Sequence, residues 1–201
     1  MGLFDFSWCR KKTAGSSGQG AVTEWEIGPW IDGKTRSPNM PRYMARNPDG
    51  SHSFTFPASN GVHYVYRASG PLRVGGSIRL VAEITGNGEF KPVGTGDIEP
   101  CDLQLYIERS DNGWQAHDPF ERMFTKAAMP LKFGVIDWTV PLTWEHWEGV
   151  VGHLQDEAKF KDCLARTKSV GGGFGGAMFA GHGVYVRAGN AQFTLRKYEV
   201  S

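Results

Sequence analysis

Two stretches of the chain alternate apolar and polar residues with a period of two, the pattern of a strand that lays one face on a core. In residues 77–85, Ile78, Leu80, Ala82 and Ile84 fall on one face and Arg79, Val81, Glu83 and Thr85 on the other. In residues 101–109, Cys101, Leu103, Leu105 and Ile107 oppose Asp102, Gln104, Tyr106 and Glu108. Residues 53–56 and 62–68 predict two strands on either side of the turn Ser59-Asn60-Gly61. A further strand is predicted over 132–142, with Ile136, Trp138 and Val140 on one face and Val135, Asp137 and Thr139 on the other. Trp25, Ile27 and Trp30 supply the apolar positions of an opening segment over 23–31.

Toward the C-terminus the pattern predicts short strands at 177–179, 183–187 and 192–200, hinged at Gly181-His182-Gly183 and Ala188-Gly189-Asn190. The glycines at 171, 172, 173, 175 and 176 are followed by no Lys-Ser or Lys-Thr and by no helical pattern. They therefore read as a strand passing close to its neighbours or bulging, and not as a phosphate loop. Helical spacing occurs once, over 154–167, where Leu154, Ala158, Cys163 and Leu164 interleave with acids and lysines. Gly86-Asn87-Gly88 and Asp111-Asn112-Gly113 read as turns. Residues 34–51, with three prolines, and 114–130 read as irregular, with Phe120, Met123 and Phe124 covering an edge or an end.

Eight to ten short strands separated by glycine turns, with one late helix, predict an all-β fold: an antiparallel two-sheet β-sandwich. Length allows one domain over 21–201. Residues 1–20 read as a flexible tail and linker, in which Leu3, Phe4, Phe6 and Trp8 precede Arg10, Lys11 and Lys12, a combination that could lie on a membrane surface or dock on neighbouring subunits.

Charge narrows the partners. The net charge of +1 gives no one-signed surface of the kind that binds nucleic acid, so none is expected. No run approaches the roughly twenty apolar residues of a membrane span. No signal-peptide run is visible either, and the compartment is left open, with an extracellular or virion-associated setting as the candidates. Cys9, Cys101 and Cys163 lack zinc spacing, the six histidines form no paired motif, and a nucleophile elbow of the Gly-x-Ser-x-Gly type is absent. Asp97, Glu99 and Asp102 cluster around Pro100, where calcium ligands could converge, although the spacing is not that of an EF-hand. Glu83 and Glu108, if their strands were neighbours, could face one another as a glycosidase pair must.

The polar-aromatic positions carry more. Tyr106 beside Gln104 and Glu108, Arg79 with Glu83, and Tyr185 with Arg187 combine flat rings with planar hydrogen-bonding groups, and Trp138 could extend the platform. Sugar rings, with apolar C–H faces and peripheral hydroxyls, match such a surface. The segment GGAMFAGHGVYVRAGNAQFTLRKYEV, with Phe193, Leu195, Tyr198 and Val200 in its final strand, resembles the closing strands of jelly-roll, concanavalin-like carbohydrate-binding modules. That resemblance implies a sandwich with a sugar-facing sheet. The E-x-D-x-x-E motif of the catalytic laminarinase-like members is absent, so their activity does not carry over. The expectation is a non-catalytic, lectin-like domain without a cofactor that binds a glycan or polysaccharide on one sheet face. Its binding residues would be Arg79, Glu83, Gln104, Tyr106, Glu108, Trp138, Tyr185 and Arg187. The alternatives are a virion or surface assembly protein docking through residues 1–20, and a glycan-degrading hydrolase or lyase using Glu83 and Glu108.

Overall fold

The computed structural model describes residues 24–31, 33–94, 100–109, 118–150, 153–176 and 181–201. Its strands, in chain order, are β1 Glu26–Gly28, β2 Trp30–Ile31, β3 Lys34–Thr35, β4 Ala45–Arg46, β5 His52–Thr55, β6 Tyr64–Ala68 and β7 Ser77–Pro92. They continue with β8 Cys101–Glu108, β9 Arg122–Thr125, β10 Met129–Pro130, β11 Gly134–Pro141, β12 Trp147–Gly149, β13 Ser169–Gly176 and β14 Val184–Val200. A 3-10 turn, Trp144–His146, precedes β12, and the α-helix α1 spans Glu157–Ala165.

The strands form a seven-stranded sheet, ordered β1-β6-β13-β8-β9-β12 with β10 pairing onto β8, and a five-stranded sheet ordered β11-β7-β14-β5-β4. β2 and β3 make a small separate hairpin. Among the described residues every strand pairing is antiparallel. The alternation read from sequence decides which sides meet. Ile78, Leu80, Ala82 and Ile84 of β7 and Leu103, Leu105 and Ile107 of β8 are buried in one core. Each of the leucines and isoleucines contributes about 1.5–3 kcal/mol on burial. Phe174 of β13 bridges the layers, its ring edge-on to Phe54 of β5 at 5.8 Å and to Phe193 of β14 at 5.6 Å. The predicted helix forms. Asp156 caps it by accepting the Lys159 amide, and Phe160, Cys163 and Leu164 turn inward, with Phe160 6.3 Å from the Trp147 ring.

Two predicted turns are not turns. Gly86-Asn87-Gly88 and Ala188-Gly189-Asn190 lie opposite each other in a single ladder, so β7 runs for 16 residues and β14 for 17. Gly86 and Gly88 sit at φ of 106° and 115°, and the register shifts between Arg187 and Asn190. Residues that tolerate positive φ can bulge a strand as well as reverse it, and here a bulge at Ala188-Gly189 of β14 opposite Gly88 of β7 keeps the pairing going. Residues 183–187 and 192–200 are thus parts of one strand. The described part of the segment read as irregular, 118–130, is also more regular than expected, because Arg122–Thr125 pairs with β8 and puts Met123 into the core. The predicted strand at 177–179 and the tail at 1–20 lie outside the described residues.

Candidate ligand-binding face

The outer face of the seven-stranded sheet can be built from register alone. Glu26, Tyr66, Gly171, Tyr106, Phe124 and Glu148 form one row across six strands. Gly28, Tyr64, Gly173 and Gln104 form a second, and Ala68, Ser169, Glu108 and Arg122 a third. Successive side chains alternate between faces, so all three rows look away from the core. At the centre of the sheet β13 presents glycine at 171 and 173. A Cβ on Gly173 would come within 3.0 Å of the Phe124 ring and 3.2 Å of the Tyr64 ring, and one on Gly171 within 2.8 Å of the Tyr66 Cα.

Neighbouring rings occupy the space these glycines leave. Tyr64 and Tyr106 have centroids 5.3 Å apart, Tyr106 and Phe124 6.0 Å, and Tyr64 and Phe124 6.2 Å. Tyr64 and Phe124 stand on strands three spacings apart, about 14 Å at the usual strand separation. Their side chains therefore lean toward each other over the glycine strand. Tyr106 beneath them has no exposed surface.

The polar groups of this face are drawn under the same cover. Gln104 donates through Nε2 to the Thr125 carbonyl at 2.6 Å. Glu108 accepts from Arg122 Nε at 3.2 Å and Nη2 at 3.0 Å, both side chains being buried. Burial raises the Glu108 carboxyl above its ordinary value, against the opposing pull of Arg122. Asp102, opposite Gly175 and Pro130, is buried as well, and its Oδ1 has no hydrogen-bond partner among the described residues. Loss of solvation pushes this carboxyl up to about 7.

The eight residues expected to share one surface do not. Gln104, Tyr106 and Glu108 belong to the outer face of the seven-stranded sheet and are buried there. Arg79, Glu83, Tyr185 and Arg187 belong to the outer face of the five-stranded sheet, on the far side of the core. There Arg79 pairs with Asp137 at 2.8 Å, Glu83 with Arg196, and Arg187 with Glu89 at 2.8 Å, which makes a solvated lattice of neutralised charges. Trp138 lies opposite Leu80 on the core side of edge strand β11 and packs against the core. Tyr106 is thus a packing residue and no platform, because the glycine strand beside it lets other rings cover it. Glu83 and Glu108 point outward from opposite sheets and cannot act on one bond. Asp97 and Glu99 lie outside the described residues, and among those described no three His, Cys, Asp or Glu side chains gather as a metal site would require.

An open cleft of about 260 Å³ lies at the margin of the seven-stranded sheet's outer face. Pro29, Tyr64, Arg122 and Gly181 are its buried lining, and Ile31, Arg36, His63 and His182 its more open walls. The Arg122 guanidinium carbon stands 5.5 Å from the Tyr64 ring centre. His63 Nδ1 is 2.9 Å from the Gly181 carbonyl, an acceptor, so that nitrogen carries the hydrogen. Burial lowers the His63 pKa and keeps the ring neutral at pH 7. Alternation did not reveal this site, because its residues come from five separate segments that only the strand order brings together.

No family model matches the chain, and no curated protein does. Among solved structures, the chain is similar to the crystal structure of a candidate glycoside hydrolase from Bacteroides thetaiotaomicron, with a TM-score of 0.42 and 13% identity. The similarity covers 92% of this chain and spans 66% of the length of that one.

Proposed function

We propose that the protein is a carbohydrate-recognition domain, a jelly-roll sandwich of the concanavalin-like kind that holds a sugar in the cleft beside Tyr64. The observation that carries this reading is the composition of the cleft: an aromatic side chain, two imidazoles and two guanidinium groups surround a space of about 260 Å³. Planar hydrogen-bonding groups convergent on an aromatic and aliphatic floor match a ring with hydroxyls at its edge. The volume lies below the roughly 300 Å³ at which pockets for drug-sized ligands begin, and so fits one ring or the end of a chain.

Recognition without hydrolysis is favoured by where the carboxylates fall. A glycosidase needs two within roughly 5 to 10 Å of each other. Glu83 and Glu108 are on opposite sides of the sandwich. Asp102 and Glu108 share a face and a strand, but six positions of strand rise separate them by about 20 Å.

The test is a calorimetric screen of the full chain against a panel of oligosaccharides, with the same mixtures assayed for new reducing ends. Binding without release of reducing ends is expected. His182→Ala should weaken that binding about tenfold, the equivalent of one or two hydrogen bonds. Release of reducing ends, or no binding across the panel, would overturn the reading.

A further inference from the structure

We infer that the cleft selects acidic sugars, taking the carboxylate of a uronic acid unit on Arg36; this rests on the recognition reading above. The chain as a whole nearly balances its charges, with 22 Lys and Arg against 21 Asp and Glu. The cleft does not share that balance. Its described lining includes Arg36, Arg122, His63 and His182 and no carboxylate.

The two arginines play different parts. Arg122 is held by Glu108 through two hydrogen bonds and is largely neutralised. Its buried guanidinium is a fixed donor frame and adds little net charge. Arg36 is exposed at the cleft wall, and among the described residues its guanidinium has no ion pair or hydrogen bond, only its backbone amide being used, in a bond to the Pro29 carbonyl at 3.1 Å. Its neighbour in the ladderless stretch, Ser37, is buried and bonded to the Gly28 carbonyl and the His63 amide, which anchors the backbone that carries Arg36.

A sugar lying in this cleft would therefore meet, at the wall, a cation that no carboxylate among the described residues compensates. An arginine fork matches the two coplanar oxygens of a carboxylate, whereas a neutral hydroxyl would use only part of it. The contrast with the opposite sheet supports this. There Arg79, Arg187 and Arg196 each sit against a carboxylate of this chain.

Titration calorimetry of the full chain with oligogalacturonate, the corresponding neutral galactan fragment and a sulfated galactan distinguishes the outcomes. Oligogalacturonate should bind at least about tenfold tighter than the neutral fragment, with an affinity that falls as salt rises. Arg36→Ala should erase that preference, Arg36→Lys should restore part of it, and Arg79→Ala on the other sheet should leave it intact. Equal affinity for acidic and neutral fragments would overturn this inference while the recognition reading stands. Tighter binding of the sulfated fragment would overturn the carboxylate assignment, and no binding to any of the three would overturn both.

Discussion

Arg122 donates to both oxygens of Glu108, Nε to Oε2 at 3.2 Å and Nη2 to Oε1 at 3.0 Å, with both side chains almost entirely buried. A buried pair of this kind adds little compared with an apolar pair of the same size, but removing one member strands the other's charge. Arg122→Met should cost about 3–5 kcal/mol in urea unfolding at pH 7. The double variant Arg122→Met with Glu108→Leu should recover most of that loss. Additive costs from the two single changes would contradict the coupling.

Tyr106 would be a stacking platform if its strand had one wet face, and truncating it would then spare stability. The ring is instead packed between Tyr64 and Phe124 with no exposure. Tyr106→Ala should accordingly destabilise the fold by about 3–5 kcal/mol, as large aromatic deletions in cores do. Chemical denaturation checks this, and a variant as stable as the parent would place the ring outside the packed cluster.

Asp102 makes stability depend on pH in the unusual direction. Its folded pKa is raised to about 7, whereas an unfolded aspartate titrates near about 4. Between those values the folded chain holds a proton that the unfolded chain has lost. The contribution is thus complete below about pH 4, falls by up to about 1.4 kcal/mol per pH unit as pH rises toward 7, and then stays level. Asp102→Asn should abolish that decline and leave the variant more stable than the parent at pH 8. Denaturation midpoints at four or five pH values would test it, and parallel curves for parent and variant would rule it out.

Much of the sandwich is written in the alternation of β7 and β8, since Leu80 and Leu103 could be assigned to the core from their neighbours alone. What alternation could not express is a strand buried on both faces. Asp102, Gln104 and Glu108 read as solvated because they are polar, yet all are buried. The relevant signal lay elsewhere in the chain, in Gly171, Gly173 and Gly175, whose period of two leaves one face of β13 without side chains, directly beside Tyr106, Gln104 and Asp102 of β8. The bulges misled for a related reason: glycine and asparagine report that φ can be positive without reporting whether the chain turns back. The cleft was hidden more deeply. His63, Arg122 and His182 look isolated in sequence and Arg36 is one of three arginines in the basic irregular stretch 34–51, and only the placement of β6, β9 and the segment before β14 assembles the four.

The long ribbon of β7 and β14 also bears on how the molecule forms. Its partners are distant, with a sequence separation of 98 from Glu89 to Arg187 and of 124 from Ser77 to Ser201. β14 lies between β7 and β5, so the five-stranded layer has no continuous middle until that strand arrives. Before then β7 and β5 each carry an open edge able to pair with another chain. Such non-local pairing is slow to nucleate. A nascent chain emerging residue by residue would spend its interval of greatest exposure to misassembly just before β14 becomes available.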